Sequence, residues 1–218
     1  MRTRWAGAGT QALLVLVILL RTASRAVATA QAPDVIVVDG KHYSLTVNPL
    51  EAYLSEHPGK RPGLQGSSTA NWRGYVAHFA VREDSLFLTD VRSDGGKTSS
   101  LMRDVFTDGA PVLVDWFTGH LIIPDGKEVR YVHMGYGSEY ECYIVMRIAK
   151  GVVSKTTRMS HEAFGELRLE QFQAFKSTAA YRKALAEIQK SGDARGPKMA
   201  EEFLYEYLSS EYMSQVFE

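Results

Sequence analysis

The stretch from Pro111 to Val153, PVLVDWFTGHLIIPDGKEVRYVHMGYGSEYECYIVMRIAKGVV, constrains the fold more than any other part of the chain. Near its end Tyr140, Cys142, Ile144, Met146 and Ile148 alternate with Glu139, Glu141, Tyr143, Val145 and Arg147. Successive side chains of a strand point to opposite faces, so a period of two predicts a β-strand with the even positions toward a core. Upstream, Val112–Trp116 predicts another strand. Thr118-Gly119 turns into His120–Ile123, and Asp125-Gly126 reads as a second hairpin turn into Lys127–Met134. Gly135-Tyr136-Gly137-Ser138 then opens a loop. Cys142, the only cysteine, falls on the inward set and reads as a small buried hydrophobe.

The flanking sequence extends the same pattern. Val35–Val38 and Lys41–Val47 form a hairpin about Asp39-Gly40, and Asn48-Pro49 opens a short helix ending at Glu56. Trp72–Val81 is apolar on both faces, which predicts a central strand, and Ser85–Val91 is the next. Asp94-Gly95-Gly96 breaks that strand, and Ser99–Phe106 predicts a helical turn. After Val152–Arg158, Ser160 caps a helix whose apolar positions run from Phe164 through Leu167, Phe172 and Phe175 to Ala179, Leu185 and Ile188. Ser191-Gly192 ends it, and Lys198–Ser209 forms the last helix. The expected class is α+β: a mainly antiparallel meander sheet, flat or curled toward a barrel, with a C-terminal helical segment. Residues 31–158 would be the sheet domain, with a short helix near 50–56, and residues 159–218 a helical tail docked on it.

The N-terminus reads as a secretory signal. Arg2 and Arg4 precede the apolar run Ala12–Leu20, and Ala28 and Ala30 each have an alanine two positions earlier. Residues 1–30 are therefore expected to be removed after Ala28 or Ala30, leaving a periplasmic or secreted protein. The apolar run is shorter than the ~20 residues a membrane span needs, so no stable span is expected after cleavage. Arg21 and Arg25 lie between the run and the cleavage sites, where signals are usually uncharged, so an uncleaved N-terminal membrane anchor is the alternative. With 25 basic and 25 acidic residues, the chain lacks the electrostatic footprint of a nucleic-acid binder.

Aromatic and polar side chains gather at the predicted strand ends. Trp72, Trp116 and Tyr136 suggest the walls of a cleft, with Arg73, Asp115, His133 and Glu141 converging on a ligand. The structural alternative is that the aromatics fill the sheet core and Arg73 pairs with Asp115. An enzymatic version would use His133 with Asp115 or Glu141 as an acid–base pair, in a hydrolase. A zinc site from His133, Glu139 and Glu141 has no paired-histidine spacing behind it, so neither a metal nor a cofactor is expected. No serine sits in a nucleophile elbow, and Gly135-Tyr-Gly137 precedes a strand rather than a helix, unlike a dinucleotide loop.

The phrases Trp72-Arg-Gly-Tyr-Val-Ala77, Asp115-Trp-Phe-Thr-Gly119 with Leu121-Ile-Ile-Pro124, and Tyr131-Val-His-Met-Gly-Tyr136 with Ser138 and Tyr140-Glu141 resemble a family of bacterial proteins without an assigned activity. The resemblance covers about residues 35–155 and carries no substrate or catalytic residue with it. It implies that these strand ends recur together, as a structural corner or as a site. Those relatives look cytoplasmic, so the export segment is a departure. The expected function is a non-catalytic module that binds an envelope protein or a small-molecule ligand, with the hydrolase as alternative.

Overall fold

The computed structural model describes residues 30–62, 68–93, 100–192 and 196–215. The expected signal segment before Ala30 and the Asp94-Gly95-Gly96 break lie outside these residues. Eight strands form one mixed sheet: β1 (Asp34–Val38), β2 (Lys41–Leu45), β3 (Val76–Arg82), β4 (Ser85–Arg92), β5 (Val112–Leu113), β6 (Gly119–Arg130), β7 (Glu139–Ala149) and β8 (Val152–Ser160). Their order is β2-β1-β3-β4-β8-β7-β6, with β5 paired to β4. The helices are α1 (Pro49–Glu56), α2 (Met102–Val105), α3 (His161–Phe175), α4 (Ala179–Ser191), α5 (Pro197–Tyr207) and α6 (Ser210–Met213). The chain is α+β, and among the described residues no helix is long and apolar enough to cross a membrane.

The sheet coils on itself without closing. β4 and β8 meet only at Ser85 and Val152, beside the Leu86 N to Gly151 O bond of 2.8 Å. At the far edges, Thr46 N just past β2 donates to Ile122 O on β6 at 3.0 Å. Every strand pair is antiparallel except β1 with β3. That parallel pair departs from the meander expected from sequence. β2 already occupies one side of β1, so the chain crosses over through α1 before β3 can take the other side.

The concave side of the coil is filled by Ile36, Leu45, Phe79, Leu86, Leu88, Leu121 and Ile123, all fully buried. In β7 the even positions Met146 and Ile148 are buried as expected, but so are the odd Tyr143 and Val145. The cause is α3, which covers the odd face: Phe164 stacks on Tyr143 with ring centroids 3.7 Å apart. Cys142 is only half-buried.

Two local signals are overridden. Asp125-Gly126 does not turn the chain. β6 runs straight through, with register shifts between Asp125 and Arg130 and Gly126 at φ 90°. The Glu141 carboxylate accepts from Lys127 N at 2.9 Å, which satisfies the amide that the irregular ladder leaves over. The long helix expected after Ser160 is instead two, α3 and α4. Thr178 breaks it: its hydroxyl donates to Phe175 O at 2.8 Å and accepts from Tyr181 N at 3.1 Å, ending one helix and capping the next. Ser160 itself caps α3 through Ala163 N at 3.3 Å.

The C-terminal helices lie against the sheet through glycines. A Cβ on Gly119 would come 1.9 Å from Ser214 O, and one on Gly135 would come 2.0 Å from Tyr207 O. His120 N donates to Ser214 O at 3.1 Å, and His120 Nδ1 lies 3.0 Å from Gln215 O. Backbone therefore packs on backbone where α5 and α6 cross the corner made by β6 and residues 131–138.

Candidate functional site

That corner is built on a buried charge. The turn Asn71–Gly74, closed by Gly74 N to Asn71 O at 3.1 Å, precedes β3 and sends two neighbouring side chains in opposite directions. Trp72 points out and is 64 % exposed; Arg73 points in and is 2 % exposed. Arg73 donates to Asp34 Oδ1 on β1 and to Ala32 O, both at 2.9 Å, and Asp34 Oδ1 also accepts from Ala77 N at 2.9 Å. Burial outweighs the Arg73 charge and pushes the Asp34 carboxyl up to about 6. The Arg73 guanidinium is held charged by the carboxylate beside it, against the cost of its own burial.

A second layer surrounds this pair. Tyr75 donates to Glu51 Oε1 on α1 at 2.5 Å, and Arg61 grips the same carboxylate with both guanidinium nitrogens, at 2.9 and 2.7 Å. Hydrogen bonds from Arg61 and Tyr75 hold Glu51 below the usual carboxylate range, against its burial. Tyr136 donates to Asn48 Oδ1 at 2.9 Å, and burial raises its phenol. Asp34 Oδ2 and both polar atoms of the Asn71 side chain are buried with no hydrogen-bond partner among the described residues.

Between this corner and the segment from Tyr207 to Gln215 lies a cavity of about 450 Å³. Trp72, Arg73 and Tyr136 line it, facing Tyr207, Ser210 and Glu211. Of the seven residues proposed from sequence for the ligand cleft, the fold brings these three together.

The other four lie apart from it. Trp116 stacks with Phe106 and meets Tyr53 at a tilt, centroids 5.4 and 5.0 Å away, and its Nε1–H donates to Pro49 O at 3.1 Å. It is a packing residue holding α1 and α2 together. Trp116→Ala is expected to cost about 2 kcal/mol in urea unfolding, less than a fully buried aromatic because the ring is half-buried; unchanged stability would contradict that role. Asp115 is exposed, and Arg73 pairs with Asp34 rather than with it. His133 is exposed, its Nδ1 2.8 Å from Tyr131 OH. Glu141 is committed to the β6 irregularity. Neither this cavity nor the one described next includes Asp115, His133 or Glu141, so the acid–base pair inferred from sequence does not assemble in them. Nor do His133, Glu139 and Glu141 gather as metal ligands: among the described residues no three His, Cys, Asp or Glu side chains surround one point.

A smaller cavity of about 180 Å³ lies between β7, α3 and α5, lined by Glu139, His161, Arg168 and Glu206 among others. His161 Nε2 is 3.5 Å from Glu139, Arg130 pairs with Glu139, and Arg168 lies 3.8 Å from Glu206 while donating to Tyr212 OH at 2.9 Å. The sequence held one sign of it. Arg168 falls at helical spacing between Phe164 and Phe172, a charge inside an apolar stripe, and such a charge needs partners when the stripe is buried. Glu139 and Glu206 carry no comparable local signal.

No protein-family model, curated protein or solved structure matches the chain.

Proposed function

We propose that the chain is an exported, non-catalytic binding module whose ligand sits in the cavity beneath Trp72. One observation carries this reading: a tryptophan 64 % exposed on the rim of a cavity of about 450 Å³. A large aromatic left in water beside a concavity is an unfilled contact surface, and such residues dominate binding energies where they occur. The supporting shell is rigid, because a buried hydrogen bond fixes Arg73 and a part-buried one fixes Tyr136. The export part of the reading rests on the charged start, apolar run and alanine sites before residue 31.

A thermal-shift screen of sugars, amino acids, peptides and amphipathic small molecules tests the binding part. At least one compound class is expected to raise the melting temperature of the wild-type chain and not that of Trp72→Ala. Trp72→Ala itself should change stability by less than about 1 kcal/mol, because the side chain is largely in water. If no compound shifts the wild type and a pull-down from the native envelope returns nothing, the module reading fails. Mass spectrometry of the native N-terminus tests export; an intact Met1 in membranes would overturn cleavage.

A further inference from the structure

The cavity beneath Trp72 adjoins a second depression. Leu208 and Glu211 line both. On the far side of this saddle is a space of about 340 Å³ between α4 and α5, with Ala184, Ile188 and Phe203 as its apolar lining and Glu187 at its edge. Together the two form a groove with an aromatic rim at one end, an apolar floor at the other and Glu211 between them.

Among the described residues, the groove's lining carries more carboxylates than cations. Its lining includes Glu51, Glu187 and Glu211, against a single cation, Arg73. Arg73 is neutralised from beneath by Asp34 at 2.9 Å. Glu51 is matched by Arg61, and Glu187 lies 3.9 Å from Lys183. Glu211 has no cation within ion-pair distance among the described residues. Glu211 is exposed as a residue, yet protein packed against part of its carboxyl, and then the charges of Glu187 and Glu51, hold it above the usual carboxylate range against the opposing charge of Lys183. A cation placed there would relieve that repulsion, and an anion would add to it.

We infer that this groove takes a basic peptide segment of a partner protein: a Lys or Arg side chain on Glu211, and a neighbouring large apolar side chain on Ile188, Phe203 and Leu208. The inference rests on the reading of the Trp72 cavity as a ligand site, and it names the ligand. A free amine would satisfy Glu211 alone. The apolar floor next to the carboxylate, and the groove's extent on both sides of the saddle, call for a chain that carries both groups in sequence. This is how helix grooves and aromatic-lined clefts read short segments, with apolar anchors giving affinity and charge giving register.

Panning a random heptapeptide library on the full chain tests it, with lysine amide alone as a second probe. Enriched peptides are expected to carry Lys or Arg beside a large apolar residue. Their affinity should fall about tenfold on Glu211→Gln, which keeps the side chain's size, and by a similar factor on Phe203→Ser. Thermal unfolding of both variants controls for folding. Enriched peptides without a basic residue, equal binding to Glu211→Gln, no enrichment, or lysine amide binding as tightly as the peptides would each overturn the inference. Peptides that lose affinity on Trp72→Ala but not on Glu211→Gln would sink it while leaving the Trp72 site standing. Peptides indifferent to both variants would remove both readings.

Discussion

Gly135→Ala is expected to destabilise the chain by about 2–4 kcal/mol and to loosen α5 and α6 from the sheet. Two costs combine. Gly135 has φ 55°, where an L side chain is strained, and the new Cβ would lie 2.0 Å from Tyr207 O. Its collision partner is backbone at the end of α5, which cannot rotate away as a side chain would. The same residue bridges to Ala30 and accepts from Gln31 N at 2.9 Å, so moving it also disturbs the edge of the Trp72 cavity. Gly40→Ala is the matched control. Its φ is 75°, yet nothing lies within 4 Å of the new atom, so only the backbone strain of about 1 kcal/mol remains. Urea unfolding compares the two, and hydrogen exchange in α5 reports the docking. Equal losses at both glycines, with α5 protection unchanged, would mean that the tail is not held against Gly135.

Arg73→Met is expected to cost about 3–5 kcal/mol near pH 7.5, because it leaves the Asp34 carboxylate buried without its cation. Most of that loss should return in the double variant Arg73→Met, Asp34→Asn, which removes both charges and keeps an acceptor for Ala77 N. The loss should also depend on pH. Asp34 has a folded pKa raised from 3.8 to about 6, by burial first. A carboxyl raised on folding binds its proton more readily in the folded state. Its contribution is therefore fully present below the unfolded value and is lost as pH rises through the folded one. Without the Arg73 charge, which lowers it, the folded value climbs further. The penalty in Arg73→Met should accordingly shrink on going from about pH 7.5 to about pH 5. Denaturation midpoints at the two pH values decide it. A loss independent of pH, or no recovery in the double variant, would show that the cost lies in packing rather than in an unpaired charge.

The corner shows how far local sequence reaches. Trp72 and Arg73 are adjacent, and sequence alone placed both in one cleft with Asp115, Trp116 and His133. The turn at Asn71–Gly74 sends them in opposite directions, Trp72 to the exposed rim of the cavity and Arg73 to the buried ion pair beneath it. The true partner of Arg73 is Asp34, 39 residues earlier in sequence, and no local pattern indicates it. Trp116 and Tyr136 looked alike as strand-end aromatics. One is enclosed by Tyr53, Phe106 and the Pro49 carbonyl, and the other reaches the cavity.

Asp39-Gly40 and Asp125-Gly126 carry the same dipeptide between apolar runs. The first turns the chain and the second does not. At the first, the strands on either side, β1 and β2, pair with each other from Asp34–Leu45 inward to Val38–Lys41. At the second, β7 offers a partner to both flanks of the dipeptide, so the strand continues and the glycine's positive φ is absorbed as an irregularity in the ladder.

Sequence by itself determined the strand period of residues 139–149, the Asp39-Gly40 hairpin, the Asn48-Pro49 and Ser160 helix starts, and the α+β class. These depend on backbone dihedrals, caps and side-chain alternation within a few residues, which the chain carries wherever it goes. Tertiary structure alone decided that both faces of β7 are covered, that β1 pairs parallel to β3, that Asp34 holds Arg73, and that α5 and α6 face Trp72 and Tyr136 across a cavity. Each of these depends on which distant surface arrives, and burial changes what a residue does: the same guanidinium that would be a ligand contact in water becomes, at 2 % exposure, the charge that holds the corner together.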